Sequence, residues 1–426
     1  MTHTETHYTP LKLFKNLEFV AIASVNFAQG ISFATIIIAL ALYADIFQIS
    51  GLIAGLFGTA YAVVRLVLVL PLGKYIDVGD SKRYLLIGLL IQVLVLVGYT
   101  NVQSFEHVIL LRAIQGGGSI ILILTGLSVV GDICPDEQRG LWLGTYSQVT
   151  ALSSLSGDLV GGFLLFTYGF STTYVVLTVV TLLTAVAVFM FLPSDPGGHT
   201  ELSREFGLGA LRMLISRKAI QALVMFRFTF SFAKTAIVLF LPIYAHTEFG
   251  MSALLIGGIL AGGKFTKAVS QGYVGTIADR IGQLHLFVVA GTILYAIGIA
   301  AIPLAADADR LFEPATVSFW HQSITLTPSF FVLFLVYSVL GVADSLRLPT
   351  SLTMFVEEGQ YYRAVASSLS LRSMSWQIGA IFGPLIVGGL VDVTSFTVAF
   401  SIAAVITLLS VVLFLLLYSL QPPPEA

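Results

Sequence analysis

The run from about Val108 to Val130 is apolar and long enough to cross a ~30 Å hydrocarbon core as one helix. Arg112 lies well inside it, and three glycines, Gly116 to Gly118, follow at once. A guanidinium in lipid costs at least ~2.5–3.5 kcal/mol, so Arg112 must face protein or water. Glycines would weaken this helix in water, but in a membrane they admit a close neighbour. A charge beside a close-packing surface points to a polar cavity between helices.

Runs of this length recur along the chain. We count about twelve, at 18–43, 51–74, 84–100, 105–131, 140–167, 171–192, 219–245, 252–277, 284–304, 328–357, 362–391 and 395–419, with ends set to ~2–4 residues. Charged residues make up 10% of the sequence, against about 25% for a soluble chain. The predicted fold is therefore an all-α membrane protein, since the runs are too long and unbroken for β-barrel strands. Polar residues 193–218 separate a first bundle of six helices (1–192) from a second (219–426), and a surface helix is possible within that connection. Residues 1–16 lack the order of a cleaved signal, so the first span is expected to be retained. Lys and Arg of the connecting loops fall almost all on the N-terminal side, with Arg310 alone opposite, which predicts two cytoplasmic termini.

The two halves carry related stretches. Gly73-Lys-Tyr-Ile-Asp77 leaves the second span, and Gly275-Thr-Ile-Ala-Asp279-Arg280-Ile-Gly282 leaves the eighth. Arg139 and Arg363 stand before the fifth and eleventh spans, and Gly157-Asp158 with Gly161-Gly162 answers to Gly383-Pro384 with Gly388-Gly389. Duplicated halves are the build of a rocking transporter.

On these residues the chain resembles the major facilitator superfamily, most closely its twelve-helix proton-coupled drug-efflux branch. Gly275, Asp279, Arg280 and Gly282 match the family's loop motif Gly-x-x-x-Asp-Arg-x-Gly, and the first-half copy matches at Gly73 and Asp77. The resemblance implies that this loop, with Arg139 and Arg363, gates one face of the transport cycle. Arg112, Gln115 and Gly116 match the family's Arg-x-x-Gln-Gly, which implies a part for Arg112 in proton transfer or conformational coupling. A guanidinium does not deprotonate, so that part would be electrostatic. Gly157, Gly161 and Gly162 match the antiporter motif Gly-Pro-x-x-Gly-Gly, with Asp158 in the proline place.

The spans hold more bases than acids. Asp158 and Asp344 are the buried acids and the proton-coupling candidates, because desolvation and nearby cations shift a carboxylate in opposite directions. Asp344 has Arg347 one turn away, and that base could simply neutralise it. Arg65, Arg112, Arg227, Lys234, Lys264, Lys267, Arg347 and Arg372 are the buried bases, an excess that suits an anionic substrate. Arg227 and Lys234 share one helix face. Asn26, Gln29, Gln115, Tyr337 and Trp376 complete the candidate cavity, although Asn26 and Gln29 could equally be glue between helices. Gly116, Gly157, Gly161, Gly162, Gly383 and Pro384 are the expected packing residues.

The expected function is thus a secondary transporter of a small molecule, by proton-coupled efflux or, alternatively, by anion uptake or exchange. Its partners would be substrate, protons and the bilayer of the cell membrane, with no nucleic acid, and the twelve-helix plan works as a monomer. No cofactor is expected. The histidines are scattered and form no His-Glu-x-x-His motif, there is one cysteine, and neither Gly-x-Ser-x-Gly nor a Walker motif is present, which argues against an enzyme or an ATP-driven pump.

Overall fold

The computed structural model describes residues 10–135, 138–194, 208–319, 322–362 and 364–420. After a short turn of helix, α1 (Pro10–Leu13), come α2 (Leu17–Ile46), α3 (Gly51–Val78), α4 (Ser81–Tyr99), α5 (Phe105–Ile133) and α6 (Arg139–Phe191). The connection holds α7 (Leu208–Ile215), the surface helix the sequence allowed there. Then follow α8 (Lys218–Phe249), α9 (Ala253–Ile281), α10 (Leu284–Ala301), α11 (Leu304–Leu311), β1 (Ala315–Phe319), β2 (Gln322–Leu326), α12 (Pro328–Tyr361), α13 (Val365–Val393) and α14 (Phe396–Ser419).

Among the described residues eleven helices are long and apolar enough to span a bilayer. One of them, α6, has 53 residues. At ~1.5 Å per residue that is about 80 Å, two membrane thicknesses. The chain turns at Gly169, whose φ of 73° and ψ of −173° suit glycine and no bulky residue. The run is therefore two helices that meet at Gly169, matching the separate fifth and sixth spans expected, and the described residues make twelve crossings. Between the ninth and tenth expected spans stand α11 and an antiparallel hairpin in which Ala315 pairs with Leu326 and Phe319 with Gln322.

The surface is inverted relative to a water-soluble protein. Leu183, Phe189, Met190 and Leu409 stand more than half exposed, while Arg112, Asp158, Asp344 and Arg347 are buried. Lipid is the solvent that rewards this arrangement.

The chain forms two compact units, 1–36 with 63–202, and 37–62 with 203–426. In the first, α6 lies against α2 through Gly157 and Gly161. A Cβ at Gly157 would sit 2.6 Å from the carbonyl oxygen of Ile31, and one at Gly161 would run into the Thr35 side chain. Thr35 Oγ1 donates across this seam to Gly157 O at 3.2 Å. Between α4 and α5, Gly118 meets Ile91 and Gly88 meets Leu122. In the second unit α13 lies against α8 in the same manner, with Gly379 on the Phe228 carbonyl and Gly383 on that of Phe232. Pro384, on another side of α13, fills the space left by Gly55 and Gly58 of α3. The 37–62 turn thus packs within the second unit, although in chain order it belongs to the first six crossings.

Candidate substrate and coupling sites

The first unit gathers its polar side chains around α2. Arg112 is 2% exposed, donates from Nη1 to Gln115 Oε1 at 2.8 Å, and lies 5.6 Å from the Phe33 ring. Its position one turn before Gln115 on α5 makes that bond local. Gln29 donates to Ser119 Oγ at 2.7 Å, which joins α2 to α5. Asn26 donates to Tyr146 O at 3.1 Å and to Thr150 Oγ1 at 2.5 Å, which joins α2 to α6. Both amides therefore serve as bonds between helices. Gly116 and Gly162 are buried within the same unit. Asp158 is fully buried, one residue beyond the glycine on which α2 rests. Arg65, on α3, is partly exposed.

The second unit builds something different. Asp344 of α12 is 1% exposed and faces two cations. Lys234 Nζ, from α8, lies 2.5 Å from its Oδ2. Arg347, one turn along α12, donates from Nη2 and Nε to Oδ1 at 2.9 and 3.2 Å. The Arg347 guanidinium sits 3.7 Å from the Phe230 ring centre and 3.6 Å from that of Tyr295, within the range where a ring face attracts a cation. Arg227 lies 4.3 Å from the Trp376 ring and 5.2 Å from that of Phe230. Lys234 is 5.9 Å from the Tyr337 ring.

Lys267, on α9, comes within electrostatic reach of Asp344, Lys234, Lys264 and Arg347. Arg372 of α13 does the same to Arg227. The interior of this unit thus carries several cations around one carboxylate. Neighbouring helices hold the arrangement tightly. Ser231 Oγ donates to the Trp376 carbonyl at 2.6 Å, and Thr266 Oγ1 donates to that of Ser338 at 2.8 Å. Gly263 receives the Tyr337 ring.

Tyr295 and Phe230 are the parts of this site that sequence reasoning did not assign to it. Phe230 could have been found, since Arg227, Phe230 and Lys234 fall at i, i+3 and i+7 on one face of α8. Tyr295 lies on another helix and carries no local signal.

The gating candidates are partly visible. Arg280 is exposed in the last turn of α9, and Gly282 ends that helix with φ of 70°, a left-handed cap that favours glycine. Gly275 has open space where a Cβ would stand. Gly73, Asp77, Arg139 and Asp279 fall within helices, but their side chains lie outside the described residues, as does Arg363 altogether.

The Major Facilitator Superfamily model matches residues 22–312 and, in an overlapping second match, 265–426. The chain belongs to the Major Facilitator Superfamily. It is a membrane transporter rather than an enzyme. An uncharacterised MFS-type transporter of Methanocaldococcus jannaschii is 20% identical over 401 residues, 93% of this chain and 96% of that one. The multi-drug resistance efflux pump PmrA of Streptococcus pneumoniae is 24% identical over 199 residues, 45% of this chain and 49% of the pump. Among solved structures, the nucleoside transporter NupG aligns with a TM-score of 0.74 at 14% identity, over 95% of this chain and all of the other. A bacterial homologue of the human lysosomal transporter Spinster, inward-facing and occupied, aligns with a TM-score of 0.72 at 15% identity, over 98% of this chain and 100% of that one. At these identities the likeness is one of fold: twelve crossings in two bundles of six.

Proposed function

We propose that this transporter is a secondary carrier that exports a small organic anion, with Lys234, Lys264, Lys267 and Arg347 drawing the substrate. The supporting observation is the cationic interior of the second unit, where Lys234, Lys267 and Arg347 act on one carboxylate, Asp344, and Lys264 lies within electrostatic reach of Lys267. Positive charge with so little internal compensation lowers the energy of a bound anion and raises that of a bound cation. Lys234 is the most available of the pair-forming bases, with 24% of its side chain exposed. Trp376, Arg227 and Tyr337 would shape the apolar remainder of the site. Export follows the efflux pump PmrA among the relatives, and the citrate exporter of Aspergillus niger, 27% identical over 147 residues, is a relative that exports an anion.

Proton antiport is the proposed driving force, and Asp158 is its carrier. Asp344 is clamped between two cations, whereas the fully buried Asp158 lies in the other unit. Arg112 would bias the interior of that unit electrostatically. The loops bearing Gly73, Asp77, Arg139, Asp279, Arg280 and Arg363 would gate the cytoplasmic face. The carrier would act as a monomer in the cell membrane with both termini in the cytoplasm, its halves divided at 193–218.

Counterflow in proteoliposomes tests this reading. A panel of di- and tricarboxylates, flavins and lipophilic cationic dyes is offered with and without a pH gradient. Uptake of anions alone, lost in Lys234→Met, is the expected result. Transport of the dyes with refusal of every anion would overturn it.

A further inference from the structure

At the end of the second unit away from the α9–α10 loop, α2 and α8 finish side by side. His246 stands in the last turn of α8 and Asp45 in that of α2. Gly250, with φ of 61°, closes α8 in a left-handed cap, and the turned chain brings the Met251 carbonyl back over the imidazole. His246 Nδ1 lies 2.9 Å from that carbonyl oxygen. A carbonyl accepts only, so Nδ1 carries the hydrogen. The other nitrogen, Nε2, faces Asp45 Oδ2 at 3.5 Å. In a neutral ring with its hydrogen on Nδ1, Nε2 is a bare lone pair, and it would face a carboxylate oxygen. The arrangement is attractive only when a second proton sits on Nε2.

The surroundings agree. Gln48 Nε2 donates to Asp45 Oδ1 at 3.2 Å and to the Asp45 carbonyl at 2.7 Å, which leaves Oδ2 turned to the histidine. A helix C-terminus favours a cation in its last turn. The charged neighbours of this corner are mostly acids: Glu248 on α8 itself, and Asp307 and Asp309 of α11, both within electrostatic reach of Tyr244. Arg310 of α11 is paired with Asp307 at 3.2 Å. From α13, Asp392 accepts the backbone N–H groups of Gly51 and Leu52 at 2.5 and 2.9 Å, so it caps α3 directly after the same turn. From α14, Phe396 and Phe400 offer rings to Tyr244 and no charge.

We propose that His246 and Asp45 form a proton-binding site that fastens the α2–α3 turn to the end of α8, closed when the imidazole is charged and released when it is neutral. Histidine ordinarily changes charge between pH 5 and 8, and the side chain is 21% exposed, so the site answers to the solution bathing this end of the protein. The inference is independent of the substrate proposed above and concerns a different place from Asp158.

Hydrogen–deuterium exchange of the full-length transporter in nanodiscs tests it, with rates corrected for the intrinsic effect of pH. Segments 44–52 and 246–252 are compared at about pH 5.5 and pH 8. In the wild type both should open roughly threefold more at the higher pH, as expected for one partly exposed ion pair. The difference should vanish in His246→Gln and in Asp45→Asn, and His246→Lys should stay protected at both values. A wild type with no pH difference, or a difference that survives in both neutral variants, would overturn the proposal. If His246→Gln does not fold, Asp45→Asn and His246→Lys decide it.

Discussion

The interiors of the two units hold charge in different ways. In the first, Arg112 binds the neutral amide of Gln115, while Asn26 and Gln29 spend their donors on neighbouring helices. In the second, Lys234 and Arg347 meet on one carboxylate, and aromatic faces cover Arg347 and Arg227. The backbones are built alike, with glycine seams between α6 and α2 and between α13 and α8. Related scaffolds thus carry distinct electrostatics, because close helix packing depends on a few small residues while charge placement depends on side chains free to differ between the halves.

The largest break in that comparison should come from Asp344→Asn. It leaves two cations facing each other without their carboxylate, and loss of one partner of a buried pair costs about 3–5 kcal/mol. Thermal unfolding in nanodiscs should show a large fall in Tm, partly recovered in Lys234→Met/Asp344→Asn. Arg112→Met in the first unit should cost less, about 1–3 kcal/mol, since it strands a neutral acceptor, Gln115 Oε1. Equal losses for the two variants would erase the distinction between the units.

Phe230→Leu sharpens the comparison at the aromatic level. It removes one of the two faces against Arg347 and should lower stability by about 1–2 kcal/mol through lost cation–π attraction and packing. The same substitution at Phe33, whose ring is farther from Arg112, should cost less. Gly169→Ala places a Cβ at φ 73° and ψ −173°, a region that glycine alone enters readily, and should cost about 1–3 kcal/mol although the space around it is open. Asp158→Asn should leave Tm nearly unchanged and abolish substrate-driven proton movement in proteoliposomes. A large fall in Tm would make Asp158 structural.

Much of the architecture was legible in the chain. The apolar runs located the crossings, because a bilayer of fixed thickness demands runs of fixed length. The glycines of the fifth and eleventh spans were readable as packing sites, and Gly157, Gly161 and Gly383 all meet a neighbouring helix. The hairpin at 315–326 was missed although Thr316-Val-Ser-Phe alternates as a strand does, because it sits between two strong helical signals.

The sequence by itself determined the solvent, the number of crossings and the duplicated plan, since each follows from composition or from spacing along the chain, whereas of the eight bases expected to be buried only Arg112, Arg227 and Arg347 are. It also placed Arg347 one turn from Asp344. Only the tertiary structure decided that Lys234 closes the same carboxylate from α8, that Tyr295 of α10 covers Arg347, and that His246 turns its Nε2 to Asp45. Helical periodicity fixes what a residue can touch on its own helix. Its partners on other helices depend on how those helices rotate and slide when they pack, and only the packed structure sets that.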